Sequence, residues 1–290
     1  MTNWAATVGS LLVDGVSYGM ILFLISAGLT VTLGVMRVAN LAHCGFAMVG
    51  GYVALALARE LNFGFLATLT VATALVIALG AVLERTLYRW VYATSQLGQI
   101  LMTIGLVFIL IAAMNLVFGS SVHTLPVPAL LSGAWQNGAF ALSVYRAFLM
   151  LVSVTIAIAL WAVLEFTEFG AKLRASVDNP RMARCVGINV PRVFSIAFSC
   201  GCGLAAIAGI LGTSMLPLEP WYAFKYLVPV LIVVAVGGLG SLKGSLYAAL
   251  LLGIADTFGR YFVPSAGAFV IYITAATILL WRPDGIFGRV

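Results

Sequence analysis

Charged residues are scarce in this sequence, which excludes a fold stable in water. Of its 290 residues, 8% are charged and 63% are hydrophobic, whereas soluble domains carry roughly 25% charged residues. Histidine is limited to His43 and His123, and the patterns GxxxxGK[ST], HExxH and GxSxG are missing. The sequence therefore predicts a membrane protein that is not an enzyme and carries no cofactor or metal.

Cysteine and basic residues are also too dispersed to form recognisable sites. Cys44, Cys185, Cys200 and Cys202 have no CxxC spacing, and three of them lie in or beside apolar runs, so we interpret them as small apolar residues. The net charge of +6 comes from basic residues that lie singly or in short loops. No long basic stripe is present, which argues against nucleic acid and favours a lipid bilayer as the partner.

Apolar runs long enough to cross a bilayer recur along the chain. A helix of about 20 apolar residues spans the hydrocarbon core and satisfies its own backbone hydrogen bonds there. We predict an all-α, polytopic transmembrane bundle of about eight to nine spans, forming a single domain over residues 1–290. The predicted spans are Val16–Met36, Asn40–Ala58, Phe65–Leu83, Leu97–Phe118, Ala147–Leu164, Val193–Leu216, Leu227–Gly240, Gly244–Phe258 and Phe262–Trp281.

The distribution of Lys and Arg predicts the orientation, because loops retained in the cytoplasm are enriched in them. With nine spans and an external N-terminus, the external segments hold four basic residues: Arg59, Arg146, Lys225 and Arg260. The other 11 fall on the internal side: Arg37, Arg85, Arg89, Lys172, Arg174, Arg181, Arg184, Arg192, Lys243, Arg282 and Arg289. We therefore predict an N-terminus outside and a C-terminus in the cytoplasm. The first 13 residues hold no Lys or Arg, so we expect the first span to remain rather than be cleaved.

Two long loops are candidates for contacts with partners. Residues 119–146 are predicted to be external and mix turn formers with apolar side chains, so they either dock a partner or cover the mouth of the bundle. Residues 165–192 are predicted to be cytoplasmic. Asn179 suits an N-cap, Pro180 the first helical position and Gly187 a left-handed stop, which predicts a short helix over Pro180–Val186. That helix either contacts a partner or lies on the anionic leaflet.

Small residues mark two places inside the predicted membrane region. Gly201, Ala205, Gly209 and Thr213 recur every four residues, which predicts a face where another helix approaches closely. Gly237, Gly238 and Gly240 lie between two short spans, and Gly244 follows them. Repeated glycine weakens a helix and permits sharp turns, so this cluster predicts a hinge or a re-entrant turn.

Polar residues near the spans supply candidates for the solute path. Asn40 and His43 lie where the chain turns back into the membrane, and His43 is either a hydrogen-bonded structural residue or part of the path. Asp14 and Asp256 are the acidic residues nearest the apolar runs, and an intramembrane carboxylate is a functional candidate by default. Both lie near span ends, which is a poor arrangement for a proton relay.

Several segments resemble one transporter family. They are Gly28–Gly34, Asn40–His43, Glu84-Arg85 with Tyr88-Arg89, Gly170–Ala175, Asp178–Pro180 with Ala183, Gly187–Asn189, Gly237–Ser241 and Arg282–Ile286. Together they resemble the branched-chain amino acid permeases of ATP-binding-cassette importers (the LivH-type subunit). The resemblance implies a permease for branched-chain or related amino acids in a bacterial inner membrane. It also implies a sibling LivM-type permease, two cytoplasmic ATPase subunits and an external solute-binding protein.

The resemblance also implies a role for the predicted cytoplasmic loop. The matching family segment is a coupling region that rests in a groove of the ATPase. The candidate coupling residues are Gly170, Lys172, Arg174, Ala175, Asp178, Asn179, Pro180, Ala183, Gly187 and Ile188. The sequence departs from the family pattern at Cys44 and Gly45, which leaves urea, amides and aromatic acids open as solutes. An ATP-independent secondary transporter or channel is the competing class, but the glycine cluster has no second copy in the first half of the chain.

Overall fold

The computed structural model describes residues 4–35, 40–91, 94–137 and 140–288. Helices dominate this part of the chain, and their lengths follow the apolar runs. The α-helices are α1 Trp4–Leu29, α2 His43–Glu60, α3 Phe65–Leu83, α4 Arg89–Val91, α5 Gln96–Phe118, α6 Val144–Phe166, α7 Glu168–Asp178, α8 Pro180–Cys185, α9 Val190–Gly212, α10 Tyr222–Gly237, α11 Leu242–Phe262 and α12 Gly267–Trp281. Two π-helical segments, Thr30–Val35 and Glu84–Tyr88, extend α1 and α3.

Five helical segments are long and apolar enough to cross a membrane, counted over the described residues: Ala6–Leu33, Phe65–Val91, Gln96–Phe118, Val144–Phe166 and Val190–Gly212. The apolar helices α10 and α12 are shorter, with 16 and 15 residues, or about 24 and 22 Å. Helices α2 and α11 have 18 and 21 residues and carry more polar side chains. The chain is thus a helical membrane protein.

Several predicted boundaries differ from the structure. Helix α1 begins at Trp4 rather than Val16, because the mildly polar residues before Val16 continue the helix. Residues 168–178 form α7, which was not predicted, since its amphipathic sequence is too polar to resemble a span. A short hairpin of β1 Ala134–Asn137 and β2 Phe140–Ser143 lies in the predicted external loop. The predicted end of the first span at Met36 and the basic residues Arg37 and Arg289 lie outside the described residues.

Helices α1 and α9 form the centre of the bundle. In their most apolar stretches, 83% and 72% of the residues are buried, against 22%, 28% and 17% for the segments containing α3, α5 and α6. Small residues allow the central backbones to approach. A Cβ added to Gly50 of α2 would lie 2.6 Å from the Cα of Ala206 in α9. A Cβ added to Gly253 of α11 would lie 2.5 Å from the Cα of Gly19 in α1.

Contacts between loops and helix ends fall into two groups. At the end of the bundle where α1 begins, Arg146 pairs with Asp14, and His123 forms an antiparallel bridge with Leu218. At the opposite end, the Tyr88 hydroxyl donates to Asn40 Oδ1 at 2.7 Å. There too, the Ile286 amide donates to the Val236 carbonyl at 2.8 Å. We call these the α1-start end and the α9-start end.

Candidate functional site

Helices α7 and α8 form a compact unit at the α9-start end. Asn179 Oδ1 accepts from the Met182 amide at 3.0 Å and so caps α8. Gly187 follows α8 with φ of +85°, a left-handed conformation that glycine adopts without a steric penalty. Asn189 Oδ1 then accepts from the Arg192 amide at 3.2 Å and caps α9. Two N-caps and one glycine therefore join α8 firmly to the central helix α9.

The candidate coupling residues divide between two faces of this unit. Ala183 is buried, with 3% of its surface exposed, Gly170 is buried and Ile188 is half-buried. A Cβ added to Gly170 would collide with the Leu164 backbone, so this glycine permits the sharp turn from α6 into α7. The remaining candidates are exposed: Lys172, Arg174, Ala175, Asp178, Asn179, Pro180 and Gly187.

Sequence reasoning missed the apolar part of the exposed face. Met182 and Val186 are 62% and 69% exposed, and Arg181 and Arg184 beside them are exposed as well. Their spacing of four residues places Met182 and Val186 on one side of the α8 turn. That spacing, in a segment already predicted to be helical, is the signal that would have identified them. The resulting face is apolar with basic neighbours and suits contact with another protein.

Charged side chains make contacts within α7 and between α7 and α6. Lys172 Nζ donates to Glu168 Oε2 at 2.8 Å, one turn earlier in the helix. This hydrogen bond and the lysine charge hold the pKa of Glu168 below its ordinary value. Arg174 donates to the backbone carbonyl of Leu164 at the end of α6. Helix α7 is therefore tied back to the helix before it.

Asn40 lies in a buried polar contact where the chain enters α2. Its Oδ1 accepts from the Ala42 amide at 3.1 Å and from the Tyr88 hydroxyl at 2.7 Å. The Tyr88 ring lies 4.4 Å from the ring of Phe198 in α9, between centroids. Asn40 thus links the start of α2 to the π-helical end of α3 and, through Tyr88, to α9.

His43 is completely buried at the first turn of α2. A Cβ added to Gly28 would lie 2.6 Å from its Cε1, so the ring occupies space that glycine leaves open in α1. The Ile25 backbone faces the ring, but neither ring nitrogen has a hydrogen-bond partner of ordinary geometry among the described residues. The structure therefore places His43 between helices.

The small-residue face of α9 packs against α1 and α2. A Cβ on Gly201 would lie 3.5 Å from the Gly28 carbonyl oxygen, and one on Gly209 would collide with the Ala47 backbone. Ala205 and Thr213 on the same face are 0% and 1% exposed. The Thr213 hydroxyl donates to the Ile210 carbonyl at 2.8 Å, which satisfies its polar group within the helix.

The glycine cluster forms a tight turn between the adjacent helices α10 and α11. Gly238 and Gly240 have φ of +95° and +81°, and Ser241 Oγ accepts from the Gly244 amide at 3.0 Å to cap α11. The C-terminal segment covers this turn, where the Phe287 amide donates to the Gly237 carbonyl at 3.3 Å. The structure thus places Gly237, Gly238 and Gly240 at a covered turn, while their role as a hinge stays a prediction.

Two cavities lie at opposite ends of the bundle. One of about 530 Å³ at the α1-start end lies among α1, α10, α11, α12 and the connection from α9 to α10, and its polar wall includes Asp14, Lys225, Asp256 and Arg260. The other, of about 360 Å³, lies between the π-helical segment Glu84–Tyr88, α4 and the start of α9, and is lined by Arg85, Arg89 and Arg192 among others. Neither includes Asn40 or His43. The described residues contain no group of His, Cys, Asp and Glu able to hold a metal ion.

Comparison with known proteins gives one consistent family. The family described as "Branched-chain amino acid transport system / permease component" matches residues 11–280. The chain is 27% identical to "High-affinity branched-chain amino acid transport system permease protein LivH" of Escherichia coli (strain K12), over 95% of this chain and 94% of that one. It is also 27% identical to the corresponding permease protein BraD of Pseudomonas aeruginosa, over 96% and 95%.

A solved structure, PsaBC from Streptococcus pneumoniae in complex with Fab, aligns over 93% of this chain and 88% of that chain. Its identity of 14% and TM-score of 0.47 are too low to bear on the fold. The family match covers nearly the whole bundle, including α7, α8 and the glycine turn. The chain belongs to the branched-chain amino acid transport system permease component family.

Proposed function

We propose that this chain is the permease subunit of an ATP-binding-cassette importer that carries branched-chain or related amino acids across a bacterial inner membrane. The observation that carries the proposal is the family match over residues 11–280. Relatives over almost the same length are permease proteins of branched-chain amino acid transport systems. The importer is driven by ATP, and partner subunits bind that ATP, since this chain has no phosphate-binding loop of the GxxxxGK[ST] kind.

The bundle crosses the membrane nine times, through α1, α2, α3, α5, α6, α9, α10, α11 and α12. The N-terminus is outside and the C-terminus is in the cytoplasm. Two contacts at the α1-start end join segments predicted to be external, Asp14 with Arg146 and His123 with Leu218. At the opposite end, Lys243 lies 5.2 Å above the centroid of the Trp161 ring, and both belong to helix ends predicted to be cytoplasmic. At each end of the bundle, these contacts therefore join segments that were predicted to lie on the same side of the membrane.

The exposed face of α8 is the contact with the cytoplasmic ATPase. Met182 and Val186 supply apolar surface, and Arg181 and Arg184 supply charge around it. Movement of α8 passes to α9 because the Ile188 amide donates to the Ala183 carbonyl at 2.9 Å and Asn189 caps α9 directly afterwards. Since α9 lies at the centre of the bundle, a shift of α8 reaches the helices around the solute path.

The outer helices supply the surface for lipid and for the second permease subunit. Large apolar residues of α5 are strongly exposed, including Leu116 at 88%, Val117 at 69% and Ile109 at 65%. Such surface is stable only against acyl chains or another apolar protein face. A sibling permease chain and the external solute-binding protein complete the importer on the membrane and external sides.

Reconstitution of the complete importer tests this function. The permease pair, the ATPase subunits and the solute-binding protein are placed in liposomes, and uptake of radiolabelled L-leucine is measured with ATP on the ATPase side. We expect uptake that requires both ATP and the binding protein, and no ATP hydrolysis by this chain purified alone. Leucine uptake by this chain alone without ATP would favour a secondary transporter. ATP-driven uptake of urea or an amide, but not of leucine, would identify the solute as urea or an amide rather than a branched-chain amino acid.

A further inference from the structure

Three arginines border the smaller cavity, which lies at the α9-start end. Arg85 and Arg89 belong to the helical residues that follow α3, and Arg192 belongs to the first turn of α9. All three residues are exposed. Among the described residues, none of the three forms an ion pair with an acidic side chain. The cavity therefore offers several accessible arginine side chains to an anionic ligand.

One carboxylate and one hydroxyl also border this cavity. Glu84 lines it but is 3% exposed, so its charge is less accessible than those of the three arginines. Ser195 of α9 lines the cavity as well, and a serine hydroxyl can donate to an anionic oxygen. The positive charges thus outnumber the single negative one. Because guanidinium groups bind phosphate through paired N–H donors, a phosphate group suits this cavity.

The cavity lies at the depth where the helices leave the hydrocarbon core. Helix α3 has 19 residues without a charged side chain, or about 28 Å, which matches a core of roughly 30 Å. Residues 84–91 continue the helical segment beyond α3, so Arg85 and Arg89 lie at the level of the lipid headgroups. Trp90 beside them is 77% exposed, as is typical of aromatic residues at a membrane interface.

Apolar side chains beside the cavity face away from the bundle. Ile196 lines the cavity and is 52% exposed, and Val82 in the last turn of α3 is 57% exposed. The segment containing α3 is only 22% buried in its most apolar stretch, so it belongs to the outside of the bundle. Acyl chains therefore reach this site. A ligand that has both a phosphate and acyl chains fits it better than a soluble phosphate or an acidic protein side chain.

We propose that this cavity binds the headgroup phosphate of an anionic phospholipid. The phosphate accepts hydrogen bonds from Arg85, Arg89 and Arg192, and the acyl chains extend past Ile196 along the exposed side of α3. Basic pockets between membrane helices bind anionic headgroups in this way. Since Arg192 belongs to α9, the bound lipid joins an outer helix to a central one. The site is independent of the solute that the permease carries.

Lipid binding to the delipidated importer tests this site. The permease pair with its ATPase subunits is purified in detergent, and bound lipid is counted by native mass spectrometry as phosphatidylglycerol or phosphatidylcholine with the same acyl chains is added. We expect the unmodified importer to bind phosphatidylglycerol more tightly. Arg192→Gln should weaken this binding by about fivefold, the effect of one basic residue near a lipid surface. Arg85→Gln combined with Arg192→Gln should weaken it by about twentyfold or more.

Two further variants separate a lipid site from a general effect of charge or structure. Arg282→Gln removes an exposed arginine at the same end of the bundle that does not line the cavity, so phosphatidylglycerol binding should not change. Glu84→Gln removes the one carboxylate of the cavity and should strengthen binding by about twofold or more, because a like charge is lost. Phosphatidylcholine binding should stay the same in every variant. If the double variant does not assemble, Arg192→Gln and Glu84→Gln decide the test.

Four results would overturn the proposal. The first is equal binding of the two lipids to the unmodified importer, and the second is an equal effect of Arg192→Gln and Arg282→Gln. The third is displacement of phosphatidylglycerol by inorganic phosphate, which would identify a soluble phosphate as the ligand. The fourth is phosphatidylglycerol binding that appears only after the ATPase subunits are removed, since the cavity would then be part of the contact with the ATPase.

Discussion

Helices α5 and α9 are alike in sequence character but occupy opposite environments. Each has 23 residues, and α5 is the more apolar, with a mean hydropathy of 2.6 against 2.0 for α9. Yet 28% of the α5 stretch is buried against 72% of the α9 stretch. In water the more apolar helix would be expected inside. A bilayer removes that preference, because acyl chains solvate leucine as well as the protein interior does.

Glycine distinguishes the two helices better than hydropathy does. Gly105 of α5 has no atom of another residue near its missing Cβ, whereas Gly203 and Gly209 of α9 are in close contact with neighbouring helices. The position inside the bundle thus follows from the spacing of small residues rather than from apolar content. Each prediction below compares α9, or a segment next to it, with a neighbouring part of the molecule.

The largest effect is expected from valine at a central glycine. Gly209→Val places a branched side chain where a Cβ already collides with the Ala47 backbone, so α2 and α9 must separate. Overpacking of this kind costs about 1–3 kcal/mol or more, and we expect the protein to be largely lost from the membrane fraction. Gly105→Val is the matched control and should accumulate normally. Equal accumulation of both variants, measured by immunoblot, would contradict the distinction between the two helices.

The second prediction is that an external thiol reagent reaches a position beyond the end of α5 but does not reach one before the start of α9. Helices α5 and α9 are both proposed to run from the cytoplasmic to the external end, with Ser132 beyond the end of α5 and Arg181 before the start of α9. Single cysteines at these exposed positions, in a background without the native four, report the side directly. An impermeant thiol reagent should label position 132 and not position 181 in intact cells. Labelling at 181 but not at 132 would reverse the orientation.

The third prediction compares α8, which precedes α9 at the predicted cytoplasmic end, with the first turn of α5 at the same end. Met182→Glu places a charge on the exposed face of α8, at a position where glutamate supports the Asn179 cap and leaves the helix intact. If this face contacts the ATPase, co-purification of the ATPase should fall by about tenfold or more, as for a central interface residue. Leu97→Glu is the control, since Leu97 is 65% exposed in the first turn of α5. Retention of the ATPase by both variants would exclude α8 as the contact.

Most of the fold follows from the sequence because apolar length and helix caps are local properties. Each predicted span corresponds to an α-helix, and five of these helices lie in segments long and apolar enough to cross a membrane, counted over the described residues. The Asn179 cap and the positive φ of Gly187 were predicted from residue type alone. Helix α7 was missed because its amphipathic pattern resembles a loop between two spans. The early start of α1 was missed because a membrane helix can extend beyond its most apolar stretch.

The candidate sites were harder to predict because they depend on distances between separate helices. Asp256 was named from the sequence as one of the acidic residues nearest the apolar runs, but Arg260, Lys225 and Tyr18 reach the same cavity only through the packing of α1, α10 and α11. Conversely, His43 stood out in the sequence, yet it lies against Gly28 of α1. A residue type suggests chemistry, while its neighbours across helices decide whether that chemistry is accessible.

The smallest effect is expected within α9 itself, where two cysteines lie on different faces. Cys202 is buried, with its Sγ 2.9 Å from a Cβ added to Gly80 of α3, whereas Cys200 is exposed. Serine in place of Cys202 loses part of this contact, but its hydroxyl can bond to a carbonyl one turn earlier. We therefore expect Cys202→Ser to lower the melting temperature by about 2–4 °C, the shift for roughly 1 kcal/mol. Cys200→Ser should leave it unchanged. Both shifts are measured by thermal unfolding in detergent. A larger shift for Cys200→Ser than for Cys202→Ser would mean that the face of α9 carrying Cys200, rather than the face carrying Cys202, is the buried one.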